Sequence, residues 1–243
     1  MNLKSRSPGP ICRAERFYRA LPLGLLLLLL AATPLPAQSH HYLASGRPDG
    51  VALLAPPPAS GSAEEAADLA SARAVFQART PAEKDRAFKD STLSIFLFEP
   101  AIGPFFKPGK FPKTEALFLK VKTDIAEAID TPKAHWKRQR PYQMDESLSL
   151  GAPEKSPSYP SGHSTRGTVQ ALLLAELFPD RKEAILEVGR TIGWDRVLIG
   201  KHFPTDVYAA RVLGQAIFRE LLASSAFQHD LAEAKAEVRA AQP

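Results

Sequence analysis

The sequence predicts an all-α protein with a single domain, a helical bundle of six or seven helices. Apolar residues recur at helical spacing from residue 62 onward, and prolines and capping residues separate the periodic segments. No segment alternates apolar and polar residues as a half-buried strand would. The composition, 44% hydrophobic and 23% charged over 243 residues, suits one sizeable core and excludes wholly disordered, collagenous and membrane-bundle proteins.

The first two helices are expected directly after residue 62. Ser62 and Glu65 have the spacing of a capping box, and the helix that they open is expected to end at Thr80. A second helix is expected from Pro81 to Phe98. The stretch 100–112 holds four prolines and two glycines and predicts a loop. Its three phenylalanines either line a cleft or pack the loop. These are Phe105, Phe106 and Phe111.

The later helices form the larger part of the bundle. The pair Thr131-Pro132 is expected to end the third helix, because a residue before proline avoids the helical conformation. Residues 165–178 are strongly apolar and predict a central helix that is buried on most sides. Asp180 is expected to cap the next helix and Pro204 to open another. The remaining helices are expected at 113–129, 165–178, 180–200, 204–222 and 227–241.

Residues 1–37 have the pattern of a secretory signal peptide. A basic stretch precedes a leucine-rich run of about 12 residues, short of the roughly 20 that span a bilayer. Cleavage after Ala37 would give a mature chain whose residues 38–61 form a Pro-rich extended arm. Cys12 lies in the signal, so the mature chain can form no disulfide or thiolate site. We therefore expect a periplasmic or secreted protein.

The basic excess of the chain belongs to this signal. The formal net charge is +5, but residues 1–37 carry five of the 31 basic and one of the 26 acidic side chains. The mature chain therefore has a net charge of about +1. We expect no nucleic-acid partner and, after signal cleavage, no membrane partner for the helical domain, residues 62–243.

Three short segments gather basic and histidine residues in loops or at helix starts, where backbone N–H donors are free to bind anions. Each segment alone has more than one interpretation, because a basic run is more often a solvated turn and Pro-Ser-Gly commonly forms a turn. The segments are 133–141, 160–163, and the group formed by Arg196, His202 and Asp206.

The third segment predicts a histidine oriented by a carboxylate. Asp206 lies one turn inside a helix and can reach back to His202 in the preceding turn. A carboxylate bonded to one imidazole nitrogen leaves the other lone pair exposed, as a nucleophilic histidine requires. A metal site is the rival interpretation, but this pair lacks further ligands apart from His163. Phosphate chemistry accounts for more of these residues at once.

In order, the segments read Lys-x6-Arg-Pro, Pro-Ser-Gly-His and Arg-x5-His-x3-Asp. This combination resembles the type 2 phosphatidic acid phosphatase and vanadium haloperoxidase superfamily. Within that superfamily the chain is most similar to the class A bacterial nonspecific acid phosphatases, which are exported, all-helical and similar in size. The resemblance covers nearly all of the mature chain. Four further stretches support it, namely 54–62, 158–163, 196–211 and 226–237.

The resemblance implies a role for each motif residue. His202 would attack phosphorus and form a phosphohistidine, Asp206 would orient it, and His163 would protonate the leaving oxygen. The substrate would be a small-molecule phosphomonoester, with no metal and no cofactor, and the pH optimum would be mildly acidic. Five further groups would hold the nonbridging oxygens, which is the electrostatic task of phosphoryl transfer. These are Lys133, Arg140, Ser161, Gly162 and Arg196.

Asp195 departs from the superfamily pattern, which usually has Ser before the third-motif Arg. Its carboxylate either repels phosphate, points away from the site, or pairs with a cation such as Lys137 or Lys201. A non-catalytic periplasmic phosphoester-binding protein is one alternative function, and Asp195 is its only support. A vanadate-dependent haloperoxidase is the other, which bromide oxidation would reveal. The Pro-rich arm could also wrap a neighbouring subunit in a homo-oligomer.

Overall fold

The computed structural model of the chain describes residues 40–241, which are helical and contain no β-strand. Seven helices in this range have nine residues or more, which confirms the predicted all-α fold. The α-helices in chain order are α1 (Gly50–Leu53), α2 (Ala63–Ala78), α3 (Pro81–Lys89), α4 (Glu99–Ile102), α5 (Pro112–Trp136), α6 (Pro141–Met144), α7 (Gly162–Leu177), α8 (Lys182–Leu198), α9 (Pro204–Ala223) and α10 (Ser225–Ala241).

Helix α7 is the central helix, as its apolar composition predicts. It packs most extensively against α8 and α9, while α5 packs against α10. Helices α7 and α8 approach closely because small residues meet at their crossing. A Cβ atom at Gly189 would lie 2.5 Å from the Cβ of Ala171 and 3.0 Å from the carbonyl oxygen of Gly167. The close crossing brings the start of α7 next to the end of α8, where two of the sequence motifs lie.

The second predicted helix is too long. Helix α3 ends at Lys89, and a separate 3-10 helix covers Ile95–Phe98. Ser91 and Ser94 interrupt the helix, because their hydroxyl groups bond to backbone atoms. The Ser91 hydroxyl donates to the carbonyl of Ala87, and Ser94 accepts from the N–H of Phe96.

The third predicted helix is too short. Helix α5 continues through Pro132 to Trp136, and Lys137 ends it in the left-handed conformation with φ 49°. A proline inside a helix removes one backbone bond, and tertiary packing can override that cost. Pro132 is buried against α1, with its Cγ 3.0 Å from the position of a Cβ at Gly50. The extra turn carries Lys133 into the body of the protein.

The start of α8 also differs from the prediction. Asp180 lies in a 3-10 turn, Pro179–Arg181, and does not cap the helix, whose N-cap is Arg181. Pro179 fixes its own φ angle and so favours this turn one residue before Asp180.

The phenylalanines of the 100–112 loop pack the core. Phe106 and Phe111 are buried, with ring centroids 5.3 Å apart, and Phe106 meets Phe178 edge-on at 5.6 Å. Phe105 lies at 6.3 Å from Phe111. The loop-packing interpretation is therefore correct for Phe106 and Phe111, whereas Phe105 is partly exposed and lines a surface cavity.

The predicted signal peptide and Cys12 lie outside the described residues. Of the predicted arm, residues 40–61 include α1 and contact the helices of the same chain. The backbone N–H groups of residues 41–43 donate to the Asp124 carboxylate at 2.8, 2.6 and 3.0 Å. No helix in residues 40–241 is long and apolar enough to cross a membrane.

Candidate active site

The three sequence motifs meet at one place. The end of α5 and the turn after it supply Lys133 and Arg140, and the start of α7 supplies residues 161–163. The end of α8, the next turn and the first turn of α9 supply Arg196, His202 and Asp206. All eight predicted site residues lie here, and all except the partly exposed His163 are buried.

The turn between α8 and α9 holds His202 in place. Gly200 has φ +68°, and a Cβ there would lie 2.3 Å from the carbonyl oxygen of Leu148, so only glycine fits. The carbonyl of Arg196 accepts from the backbone N–H groups of Lys201 at 2.9 Å and His202 at 3.2 Å. Pro204 then starts α9, because its fixed φ suits the first helical position. Arg196 and His202 are thus parts of one rigid unit.

His202 and Asp206 form the predicted pair. The Nδ1 atom of His202 lies 3.2 Å from Oδ2 of Asp206, which also accepts from the backbone N–H of Phe203 at 2.9 Å and from the Ser158 hydroxyl. A proton on Nδ1 is donated to this carboxylate, which leaves the lone pair on Nε2. That Nε2 lies 3.2 Å from Nη1 of Arg140. The lone pair therefore faces the cationic part of the site.

Arg138 anchors Asp206 from the other side. Its Nη1 donates to Oδ1 of Asp206 at 2.7 Å, and its Nη2 donates to Oδ2 of Asp68, on α2, at 2.8 Å. Its guanidinium carbon also lies 3.9 Å from the centre of the Phe203 ring. All three charged side chains are buried. Both oxygens of Asp206 are therefore fixed, and this fixes the ring of His202.

Protein carbonyl groups hold two of the cations. Arg140 donates to the carbonyls of Lys201 at 2.8 Å and Ser156 at 2.9 Å, and Lys133 donates to that of Ser158 at 3.3 Å. Carbonyl groups orient these cations without cancelling their charge. The two side chains therefore keep their attraction for an anion.

Arg196 has a different environment. Its Nη1 donates to the Ser91 hydroxyl at 3.0 Å, and its Nη2 pairs with the carboxylate of Glu154. The pKa of Glu154 is lowered: burial raises it, but the attraction of Arg196 and Arg140 outweighs that effect. Glu154 therefore stays ionised on Arg196.

His163 begins the face of α7 that borders the site. Its Nε2 donates to the carbonyl oxygen of Ser91 at 3.1 Å. Burial, and secondly the charge of Arg196, lower the pKa of His163 to about 4, while the Ser91 carbonyl opposes this change. Burial lowers the pKa of His202 well below its usual range, and Arg140 and Lys133 add to the shift. Both rings are therefore held neutral near pH 7 unless an anion binds.

The same surroundings lower the pKa of the Lys133 ammonium group. Burial and then the neighbouring charge of Arg140 lower the pKa of Lys133 to about 7.

Ser161 caps α7, and its hydroxyl accepts from the N–H of Ser164 at 3.3 Å. The N–H groups of Gly162 and His163 lie in the first turn of α7 and donate to no backbone carbonyl within residues 40–241, so they remain free donors. A Cβ on Gly162 would lie 3.7 Å from Cε of Lys133, so this end of the helix adjoins the cationic region.

Asp195 points away from this region. Its two carboxylate oxygens accept from Nε and Nη2 of Arg86, on α3, at 3.0 and 2.8 Å. Asp195 is fully buried. The sequence left open whether it repels phosphate, points away or pairs with a cation. It pairs, but the partner is Arg86 and not Lys137 or Lys201.

The arrangement as a whole suits a tetrahedral anion. Cationic side chains and free helix N–H groups lie around one histidine, His202, whose Nε2 lone pair accepts from Nη1 of Arg140 at 3.2 Å. Within residues 40–241 no three His, Cys, Asp or Glu side chains come together as metal ligands would.

Comparison with known proteins agrees with this geometry. Residues 117–229 match the PAP2 superfamily. The chain is 29% identical over 219 residues to an acid phosphatase of Zymomonas mobilis, covering 85% of this chain and 80% of that protein. It is 30% identical over 208 residues to a non-specific acid phosphatase of Providencia stuartii, covering 81% and 84%. The chain belongs to the PAP2 superfamily.

A solved structure shows the same fold for this PAP2 chain. A transmembrane PAP2 type phosphatidylglycerolphosphate phosphatase from Bacillus subtilis matches with a TM-score of 0.51 and 24% identity. The match covers 72% of this chain and 89% of that one. At this identity the likeness concerns the fold alone.

Several residues of this PAP2 site lie outside the positions that the motifs predict. Arg138 and Ser158 bond directly to Asp206, and Asp68 holds Arg138. Ser91 contacts both His163 and Arg196. One signal was available for Asp68, because it lies among Ala and Leu residues of α2, and a buried acid needs a partner. The identity of that partner, Arg138, depends on the tertiary fold.

Proposed function

We propose that the chain is a metal-independent acid phosphatase that hydrolyses phosphomonoesters through a phosphohistidine at His202. The observation that carries the proposal is the orientation of His202, whose Nδ1 meets Asp206 at 3.2 Å and whose Nε2 meets Arg140 at 3.2 Å. A nucleophile placed against a cationic group that holds its target is the arrangement that phosphoryl transfer needs. The similarity to proteins named acid phosphatases supports the same activity.

The first half-reaction transfers the phosphoryl group to the enzyme. The lone pair of His202 Nε2 attacks phosphorus, the bond from phosphorus to the ester oxygen breaks, and His163 donates a proton to that oxygen. Asp206 accepts the Nδ1 proton of His202 in a hydrogen bond and stabilises the positive charge that develops on the ring. The products are a free alcohol and an N-phosphorylated imidazole.

The second half-reaction returns the enzyme to its starting state. A water molecule attacks phosphorus, neutral His163 accepts its proton, and the bond to His202 breaks to release inorganic phosphate. Throughout, Lys133, Arg140 and Arg196 hold the nonbridging oxygens, joined by the Ser161 hydroxyl and the N–H of Gly162.

The protonation states favour catalysis below neutral pH. His202 must be neutral to attack, and its lowered pKa keeps it so. His163 must carry a proton to donate it, although its pKa in the free enzyme is about 4. A bound phosphate dianion raises that pKa, because it stabilises the charged ring. We therefore infer a mildly acidic optimum.

The test is hydrolysis of p-nitrophenyl phosphate near pH 5.5, with a chelator present, by the wild type and by His202→Ala. The wild type should turn over, and the variant should lose at least about 10³-fold in kcat because its nucleophile is absent. His229→Ala is the matched control, since His229 is exposed on α10. Rapid acid-sensitive labelling of the wild type by ³²P-phosphate ester should be absent in His202→Ala. An inactive wild type, or an active His202→Ala, would contradict the proposal.

We also propose that the enzyme is periplasmic or secreted, since residues 1–37 have the pattern of an export signal. Amino-terminal sequencing of the protein recovered from a periplasmic extract should then begin at Gln38.

A further inference from the structure

Glu154 places a carboxylate inside the cationic part of the site. It pairs with Nη2 of Arg196, one of the residues proposed to hold the nonbridging oxygens. Burial raises the pKa of Glu154, but the charges of Arg196, Arg140 and His163 lower it below its usual range. The proposed mechanism gives Glu154 no part. An anion that belongs to the protein itself thus lies where the phosphate of the substrate is expected to bind.

The other two phosphate-binding cations have neutral partners. Arg140 donates to backbone carbonyl groups at 2.8 and 2.9 Å, and Lys133 donates to the carbonyl of Ser158 at 3.3 Å. In the described part of the chain, Arg196 is the one member of this group that forms an ion pair with a carboxylate. Its charge is therefore compensated before any ligand binds.

The pair of Glu154 and Arg196 differs from the buried pairs of Arg138 because one partner reaches solvent. The side chain of Glu154 is 33% exposed and that of Arg196 is 2% exposed. For Arg138 and Asp206 the exposed fractions are 3% and 0%. A partly exposed carboxylate regains water when it leaves its partner, whereas a fully buried one does not. Glu154 can therefore be exchanged for another anion.

The segment that carries Glu154 lets the side chain move without the backbone. Residues 149–161 contain no helix. The backbone carbonyls two residues before and two residues after Glu154 accept from Lys201 at 2.7 Å and from Arg140 at 2.9 Å. Between them, the N–H of Glu154 donates to the Tyr142 hydroxyl at 3.0 Å. The backbone is thus anchored on both sides, and rotation about side-chain bonds is enough to free the carboxylate.

We propose that Glu154 is an internal anion that occupies Arg196 in the free enzyme and competes with phosphate for it. A carboxylate and a phosphate beside one guanidinium repel each other, so phosphate either displaces Glu154 or binds against that repulsion. In both cases Glu154 weakens phosphate binding and favours the release of inorganic phosphate after the second half-reaction. Without a ligand, it supplies the counter-charge that the buried guanidinium needs. This proposal rests on the proposed phosphate-binding role of Arg196.

A purely positioning role for Glu154 predicts the opposite result. If Glu154 only oriented Arg196, its loss would let the guanidinium move and would weaken phosphate binding. Competition predicts that the loss of the carboxylate tightens phosphate binding. The sign of the change in Kd therefore separates the two roles.

The test measures the Kd of inorganic phosphate by isothermal titration calorimetry at pH 5.5, where the lowered pKa keeps Glu154 ionised. Glu154→Gln removes the charge at nearly constant size and should lower Kd about tenfold, the gain typical of one charge-assisted contact. Glu154→Asp should give a Kd between the two, because it keeps the charge on a shorter side chain. Glu187→Gln is the matched control, since Glu187 is 64% exposed and pairs with Arg190. Its Kd should equal that of the wild type.

Thermal unfolding gives a second readout. Without phosphate, Glu154→Gln should have a lower Tm than the wild type, because Arg196 is then buried without a counter-charge. Saturating phosphate should raise the Tm of this variant more than that of the wild type, because a ligand stabilises more when it binds more tightly. A Glu154→Gln protein that folds only with phosphate present would support the proposal in the same way. If it does not fold at all, Glu154→Asp carries the binding test.

The outcomes separate the two proposals, because binding is measured without turnover. A Kd that is unchanged or higher in the Glu154 variants would refute the competition, and so would the absence of phosphate binding in the wild type and variants alike. Failure of the wild type to hydrolyse p-nitrophenyl phosphate would instead refute the phosphatase activity. Tighter phosphate binding by Glu154→Gln would still support the role of Glu154 in that case.

Discussion

Replacing Arg138 by Met should damage both stability and catalysis. Arg138 joins two carboxylates in the protein interior, at 2.8 Å to Asp68 and 2.7 Å to Asp206. The exposed fraction of the side chain is 3% for Arg138, 4% for Asp68 and 0% for Asp206. Methionine fills a similar volume but carries no charge, so both carboxylates would remain buried without a counter-charge.

The magnitude follows from that burial. Removing one partner of a buried ion pair typically destabilises a protein by about 3–5 kcal/mol. For a domain of this size each kcal/mol lowers Tm by about 2–4 °C, so we expect a loss of roughly 10 °C. Asp206 would also lose the contact that fixes its Oδ1. A displacement of His202 by about 1 Å would then lower kcat on the order of a hundredfold.

The assay combines thermal unfolding followed by circular dichroism with steady-state hydrolysis of p-nitrophenyl phosphate. Arg73→Met is the matched control, because Arg73 forms an ion pair with Asp145 but is 41% exposed, and such pairs contribute less than about 1 kcal/mol. Adding Asp68→Asn to Arg138→Met should recover part of the lost stability, since it removes one of the unpaired charges. A variant with Tm within about 1 °C and kcat within twofold of the wild type would refute this reasoning.

Three further predictions concern pH and Asp195. Because burial lowers the pKa of His163 to about 4, the unfolded chain takes up a proton below pH 6.5 that the folded chain does not. Urea unfolding should therefore show about 3 kcal/mol less stability at pH 4 than at pH 7 from this group, and His163→Gln should reduce the slope. Since the pKa of Lys133 is about 7, KM for p-nitrophenyl phosphate should rise as the pH increases through 7, and Lys133→Arg should flatten that rise. Asp195→Ser should leave the KM for p-nitrophenyl phosphate within about twofold of the wild type. It should lower the free energy of unfolding by only about 1 kcal/mol, because Arg86 is 42% exposed and its guanidinium returns to water. A marked fall in KM would show that Asp195 repels phosphate.

The helices were predictable because each long one has its own local signals. Ser62 caps α2 and Pro204 opens α9, as their residue types indicate. The errors arose where tertiary contacts override local preference. Pro132 remains inside α5 because it packs against Gly50, about 80 residues away in the chain. Ser91 follows the end of α3, and there its backbone carbonyl and hydroxyl group contact His163 and Arg196.

The site was predictable to the extent that its motifs are local. The spacing of His202 and Asp206 within one turn places them in contact wherever a helix begins between them. The partners of Asp195 and Asp206 come from α3 and from the segment after α5. No spacing rule connects residues that far apart. Local sequence therefore supplied the proposed reacting groups, and only the fold showed what holds them.

Arg138 and Arg140 illustrate the difference. They lie two residues apart in the same basic motif, and the sequence gives no reason to assign them different roles. Arg138 is neutralised by two buried carboxylates, so it fixes Asp206 and has no free charge to offer an anion. Arg140 donates to carbonyl groups and faces the lone pair of His202, so its charge remains available to an anion. For these two arginines the acceptors differ in kind: the carboxylate partners of Arg138 leave no free charge for an anion, whereas the carbonyl partners of Arg140 leave it able to bind a phosphoryl group.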